Sequence, residues 1–301
     1  MRHPSGVLLP DFIGIGPPRT GTTWLHKVLG SVVVLPHDTK ETRFFSTRYQ
    51  KGIAWYADHF RHAGGDLPIG EFDPNFFIEE AIDRIHQHLP DCRLICTMRD
   101  PVDRAYSLYK HLRRMGRAQG DFVDWAAHLE DGNRYAEYLM RWRERFGSER
   151  IMVTVFDDLE RDPQSYLNTI TDFIGASPVR LEPHHMRIGL RNHVAQAPSN
   201  ENLARLVSRL RQTLQEHRAY GLVKRLSRLG FWAFFLERGE PYRPLSPEVE
   251  RLMRERLRPQ VEALEDLLGR ELGGWKVPPD RSRPDAAAAL SARDRRISAL
   301  P

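Results

Sequence analysis

Three short apolar runs, each followed by a helical pattern, constrain this chain most: FIGIG at 12–16, RLICTM at 93–98 and RIMVTVF at 150–156. A run apolar at nearly every position suits a strand buried on both faces. Alternation of such strands with helices joins them in parallel. The expected fold class is therefore α/β, a central parallel sheet flanked by helices. VVVL at 32–35 and IGEF at 69–72 read as two further strands. GTTWLHKVLG opens a helix that Gly30 ends. Amphipathic helices are expected over 76–89, where Pro90 stops the turn, and over 102–115 and 133–146. Residues 176–199 have no sustained period and read as a long loop, of the kind that is functional or disordered. Helical segments at 200–219, 222–236 and 247–270 make the C-terminal part helical. The charged, low-complexity stretch 277–301 reads as a disordered tail behind a single domain, 1–276.

The first strand runs into IGIGPPRTGTTW at 13–24. Gly16 and Gly21 have the spacing of a Walker A phosphate loop, and Thr23 supplies its hydroxyl. Thr22 stands where that motif has lysine. Backbone N–H groups at a strand-to-helix turn cradle an anion without help from any side chain, aided by the helix dipole. Thr20, Thr22 and Thr23 add hydroxyl donors, and Arg19 adds a charged fork. A triphosphate site needs the lysine, a Mg²⁺ and an acidic residue. Without the lysine, this P-loop-like turn suits a single 5′-phosphate-like group and no metal. The plainer alternative is a capped helix with no ligand.

A second element is RDPVDRAYSLYKH, which puts Arg99 at the end of a strand and Ser107 inside the next helix, with Pro101 at the helix start. Arg99 and Ser107 can converge on a second phosphate at the carboxyl edge of the sheet, where open α/β folds bind ligands. An ion pair of Arg99 with Asp100 or Asp103 is the structural alternative. Two phosphate sites on one edge fit a nucleotide phosphorylated at both its 5′ and 3′ positions.

At this point the sequence resembles the sulfotransferases that use 3′-phosphoadenosine 5′-phosphosulfate (PAPS). GPPRTGTTWL is similar to their 5′-phosphosulfate loop and RDPVDRAYSLY to their 3′-phosphate motif. KETRFFS at 40–46 is similar to a segment of the heparan-sulfate-type branch, and EFDPNFF, VFDDLERDP and LEDLLGRELGGW are further matches. The resemblance implies PAPS as donor and its desulfated product PAP, bound by Arg19, Thr20, Gly21, Thr22, Thr23, Trp24, Arg99 and Ser107, with Arg191 of the long loop closing over the 3′-phosphate. No metal is expected, and His184, His185 and His193 are not read as ligands. Arg19 holds the family's usual lysine position, keeping the charge but forbidding proton donation. Lys40 is a second cation near the sulfuryl group. Glu41 is favoured as the base, and His111 stays open as the alternative.

In EFDPNFF, Phe72 and Asp73 replace the branch's lysine and Ser/Thr. A phenyl ring for a substrate-gripping cation points away from an anionic polysaccharide. LVKRLSRLGFWAFFL at 222–236 sets Lys224, Arg225 and Arg228 beside four aromatic residues, including Trp232. This pattern fits the wall of an apolar acceptor pocket on the acceptor side, about 200–270, or contact with a membrane surface. Packing of those aromatics into the core is the alternative. The expected acceptor is a small-molecule, lipid or carbohydrate hydroxyl, or an amine, with glycolipids and lipophilic natural products ahead of polyanions.

Charge fits an anion binder: the net charge is +5, and of 45 basic residues only six are lysines. Arginine's planar fork suits phosphate and sulfate. No apolar run approaches the ~20 residues of a membrane helix, and the N-terminal apolar stretch is short for a signal peptide. Cys92 and Cys96 lie ~13 Å apart along one strand, too far to bridge, which fits a reducing cytoplasm. Two rival readings remain. One is a metal-dependent P-loop kinase or NTPase with Asp157 of VTVFD as its acidic residue. The other is a non-catalytic binder gripping nucleic acid or lipid with the arginines of 205–228; their interleaved leucine period favours packing over nucleic acid.

Overall fold

The computed structural model describes residues 8–127, 134–183, 185, 196–198, 200–216, 219–236, 239–240 and 242–278. Four strands, β1 (Phe12–Ile15), β2 (Gly70–Phe72), β3 (Arg93–Met98) and β4 (Ile151–Val155), form one parallel sheet in the order β2-β1-β3-β4. Phe12 pairs with Gly70 on one side and Arg93 on the other, and Leu94 with Ile151. The three strongest apolar runs are thus the three adjacent strands β1, β3 and β4.

Alternation along β1 and β3 divides the core between the two faces. Ile13, Ile15, Leu94, Cys96 and Met98 point to one cluster, and Phe12, Phe72 and Ile95 to the other. Helices α1 (Thr22–Leu29), α2 (Glu79–His88), α3 (Pro101–Arg114), α4 (Tyr135–Phe146) and α5 (Pro163–Ile174) follow the strands. α1 and α5 cover the Phe12 face, while α2 and α4 cover the Ile13 face. α3 starts at Pro101 as expected, because the Asp100 side chain accepts from the Val102 and Asp103 amides at 2.8 and 3.3 Å.

The expected strand at 32–35 does not form. The Val32 and Val33 amides are spent on the Leu29 carbonyl at the end of α1, leaving one bridge, Val34 to Ile69. The helix expected from residue 76 begins at Glu79, because Asp73 caps a 3₁₀ turn over Pro74–Phe76. The described residues of the long loop, 176–183, 185 and 196–198, contain no helix or strand. The tail beyond 278 lies outside the described residues.

The C-terminal part is helical as expected, in four pieces: α6 (Glu201–Glu216), α7 (Tyr220–Arg228), α8 (Phe231–Leu236) and α9 (Pro247–Leu268). The single helix expected over 222–236 breaks at Gly230. α6, α7 and α8 close on a small core of Ala204, Val207, Val223, Trp232 and Leu236. α9 packs along α3 and α4. Among the described residues no helix is long and apolar enough to cross a membrane.

Candidate active site

The turn from β1 to α1 is held open from behind. Gly16 has φ +122°, and a Cβ there would sit 2.4 Å from the Thr97 carbonyl of β3, so only glycine fits. Thr20 is buried, donating to the Pro17 carbonyl at 2.9 Å and pairing with the Thr97 hydroxyl at 2.6 Å. Its side chain fastens the loop to β3, so its expected place among the ligand-facing donors is corrected. Gly21 caps α1 without a side chain. The Thr22 and Thr23 amides at the positive end of the helix therefore face the cleft without a capping group.

That cleft, ≈ 490 Å³, is lined by nearly every residue the sequence singles out: Arg19, Gly21, Thr22, Thr23, Trp24, Lys40, Glu41, Arg99 and His111. Its cationic lining is Arg19, Lys27, Lys40, Arg43, Arg99 and Arg117, against one carboxylate, Glu41. The two phosphate motifs meet directly, since Arg19 Nε donates to Ser107 Oγ at 3.0 Å. Ser107 is buried under Arg19 and off the cleft wall. Arg99 lies 4.5 Å over the Phe156 ring, with Nη1 on the Arg19 carbonyl at 3.5 Å. Neither Asp100 nor Asp103 holds it: Asp100 pairs instead with Arg254 at 2.7 Å. Burial and the neighbouring Arg114 and Arg99 lower the Arg19 pKa to about 10, which leaves it charged at neutral pH.

Lys40 and Glu41 form an ion pair of 2.7 Å, and Lys40 Nζ reaches Thr22 Oγ1 at 3.5 Å. The segment carrying them is gripped by two buried acids of β2 and its exit. Glu71 accepts from the Thr42 amide at 2.5 Å, the Thr42 hydroxyl at 3.0 Å and the Tyr56 hydroxyl at 2.9 Å. Asp73 accepts from the Arg43 amide at 2.7 Å, which holds Arg43 at φ +56°, a left-handed conformation rare for a side-chain-bearing residue. Asn75 donates to both Asp73 at 2.6 Å and Glu41 at 3.2 Å. Burial and the adjacent Asp73 push the Glu71 carboxyl well above its usual range. Burial and Glu41 push Asp73 up to about 6. Sequence reasoning passed over Asn75 and Glu71, although both lie in a quoted motif, because neither role shows until β2 pairs with β1.

His111 lies on the wall from α3. Burial, then Arg19, Arg114, Arg117 and Arg211, depress its pKa to about 3, so it stays neutral and weakly basic. Trp24 Nε1 donates to the His185 carbonyl at 2.8 Å, tying the long loop to α1. Arg191, expected in that loop, lies outside the described residues, as do His184 and His193. Asp157 accepts from Trp275 Nε1 at 3.0 Å and does not line the cleft, so it is not placed to act as the acid of a metal-dependent NTPase.

A sequence model of the sulfotransferase domain matches residues 9–220. The chain belongs to the sulfotransferase family. It is 30% identical over 197 residues to the mouse bifunctional heparan sulfate N-deacetylase/N-sulfotransferase 4, covering 56% of this chain and 23% of that protein. With the Drosophila melanogaster bifunctional heparan sulfate N-deacetylase/N-sulfotransferase it shares 25% over 221 residues, 61% of this chain and 21% of the other. The chain thus spans about a quarter or less of the length of these relatives. A crystal structure of a sulfotransferase from Alicyclobacillus acidocaldarius has the same fold, with a TM-score of 0.64 at 20% identity, over 90% of this chain and 100% of that one.

Two sequence expectations about this sulfotransferase's acceptor are overturned. Phe72 is fully buried, its ring edge-on to Phe12 at 5.7 Å and packed on Gly14, so it faces the core and says nothing about the acceptor. Trp232 is likewise core, with Nε1 on the Val223 carbonyl at 3.3 Å. The packing alternative holds for it.

Proposed function

We propose that the sulfuryl donor is PAPS and that the acceptor is a carbohydrate hydroxyl or amine. The observation that carries this reading is that one cationic cleft brings together the lysine-less phosphate loop, Arg99 and the Lys40–Glu41 pair. The uncapped amides of Thr22 and Thr23 fit a phosphosulfate, and Arg99 on the wall of the same cleft fits a 3′-phosphate, with Ser107 holding Arg19 from behind. PAPS supplies an activated sulfuryl group, and PAP departs with the electrons of the broken S–O bond. Glu41 takes the proton of the attacking acceptor group as a new S–O or S–N bond forms. Arg19, Lys40 and the loop amides stabilise the charge that gathers on the departing phosphate oxygen. Neutral, weakly basic His111 is a poor competitor for the proton and suits hydrogen bonding to the acceptor.

A carbohydrate is favoured because the relatives named above act, by their names, on heparan sulfate, and because Phe72 and Trp232, two of the residues that argued for a lipophilic acceptor, are buried. Incubation with ³⁵S-labelled PAPS and a panel of amino- and hydroxyl-bearing oligosaccharides, read by mass spectrometry, tests the reading. Transfer to at least one sugar is expected. A folded protein that binds PAP yet sulfates no carbohydrate, while sulfating a phenol or sterol, would overturn the acceptor assignment.

A further inference from the structure

Glu41 is fixed from two directions, and both lead to one buried carboxylate. Its Oε1 pairs with Lys40 Nζ at 2.7 Å, and its Oε2 accepts from Asn75 Nδ2 at 3.2 Å. The same Nδ2 donates to Asp73 Oδ1 at 2.6 Å, so one amide spans two acids. The Asn75 backbone amide also donates to Asp73 Oδ1, at 3.0 Å, and opens the 3₁₀ turn at Pro74. Two residues along the chain from Glu41, the Arg43 amide donates to Asp73 Oδ2 at 2.7 Å. Asp73 Oδ1 thus supports the Glu41 side chain through Asn75, and Oδ2 supports its backbone through Arg43.

Asp73 is fully buried and does not line the cleft, whereas Glu41, Arg43 and Asn75 do. It can act on a substrate only through them. Three N–H groups converge on its two oxygens, and an asparagine in its place would turn an N–H of its own against one of them. A serine or threonine hydroxyl offers one oxygen where two are used. The two acids also fix which way Asn75 faces, because its carbonyl oxygen placed between them would be repelled by both. With that amide removed, Glu41 can turn both oxygens onto the Lys40 ammonium and spend them on one cation. Glu41 faces Asp73 across Asn75, Glu71 faces it from β2 with Tyr56 behind, and Arg43 meets it through the backbone amide. Burial and Glu41 push the Asp73 carboxyl up to about 6, so its charge is complete only well above that pH.

We propose that Asp73 is a positioning residue for the base: through Asn75 it sets the direction of the Glu41 carboxylate, and through the Arg43 amide it sets the backbone that carries it. The inference rests on the reading of Glu41 as the base.

The test is a double-mutant cycle on turnover, with ³⁵S-labelled PAPS and a glucosamine oligomer bearing free amines as the probe. Asn75→Ala removes the amide and leaves the bond between Asp73 and Arg43. It should lower kcat roughly 10–100-fold, with acceptor KM and PAP Kd nearly unchanged. In a Glu41→Gln background the same substitution should cost less than about 2-fold, because a residue that acts through the base has nothing left to position. A second readout needs no acceptor. In ¹⁵N-labelled, nucleotide-free protein the Asn75 side-chain amide resonance should titrate with Asp73, near pH 6 in the wild type and lower in Glu41→Gln, where the charge that holds Asp73 up is gone. Equal losses from Asn75→Ala in both backgrounds would overturn the proposal. So would an amide that does not titrate, or one whose midpoint is the same in Glu41→Gln, whether or not the probe is sulfated. Near-normal turnover in Glu41→Gln alone would instead overturn the reading of Glu41 as the base.

Discussion

At the residue scale, the proposed division of labour between Glu41 as base and His111 as a neutral neighbour rests on their surroundings. Glu41 is held by Lys40 and Asn75 within the cleft, while burial and arginines keep His111 neutral. Glu41→Gln preserves shape and removes basicity, so turnover should fall roughly 10²–10⁴-fold with PAP affinity retained. Steady-state kinetics paired with PAP titration check this. His111→Gln should leave the acid limb of kcat/KM in place; loss of that limb would transfer the base role to His111. The same variant has a stability signature. With a folded pKa of about 3 against an ordinary value near 6.5, the unfolded chain binds a proton that the native protein does not. Stability is therefore present above about pH 6.5 and is lost as pH falls towards 3. Replacing His111 should soften the fall in Tm between those limits. Arg19, Glu41 and Arg99 were legible because each sits inside a contiguous motif. Asn75 and Glu71 were not, since their work depends on which segment lies across the sheet from them.

The elements divide the same way. Strands β1, β3 and β4 were legible because burial on both faces leaves an uninterrupted apolar run. VVVL at 32–35 has the same composition, but its amides are spent on the end of α1. A place in a motif does not fix which way a side chain faces, and the β2 register turns Phe72 away from the cleft, onto Gly14 and Phe12. Phe72→Ala should therefore cost about 3–5 kcal/mol in denaturant unfolding. Acceptor KM, measured on the fraction still folded at low temperature, should not change. A large KM shift without loss of stability would return Phe72 to the acceptor site.

At the scale of the whole molecule, the C-terminal helix is wired to the start of α3, beside the cleft, by a buried charge cluster. Arg254 of α9 bonds Asp100, the cap of α3, at 2.7 Å, Glu250 at 3.1 Å and the Trp275 carbonyl at 2.8 Å. Removing the arginine strands two buried carboxylates, so Arg254→Ala should cost about 3–5 kcal/mol and weaken PAP binding through the loosened start of α3. We propose that the cleft holds a nucleotide phosphorylated at both ends, without metal. The most direct measurement is calorimetric titration, in the presence of EDTA, of PAP and of adenosine 5′-phosphosulfate into wild type and Arg99→Ala. Both ligands should bind the wild type, and Arg99→Ala should weaken PAP by about 1.5–3 kcal/mol while sparing the ligand that lacks a 3′-phosphate. No PAP binding in EDTA, or equal losses for the two nucleotides, would contradict it.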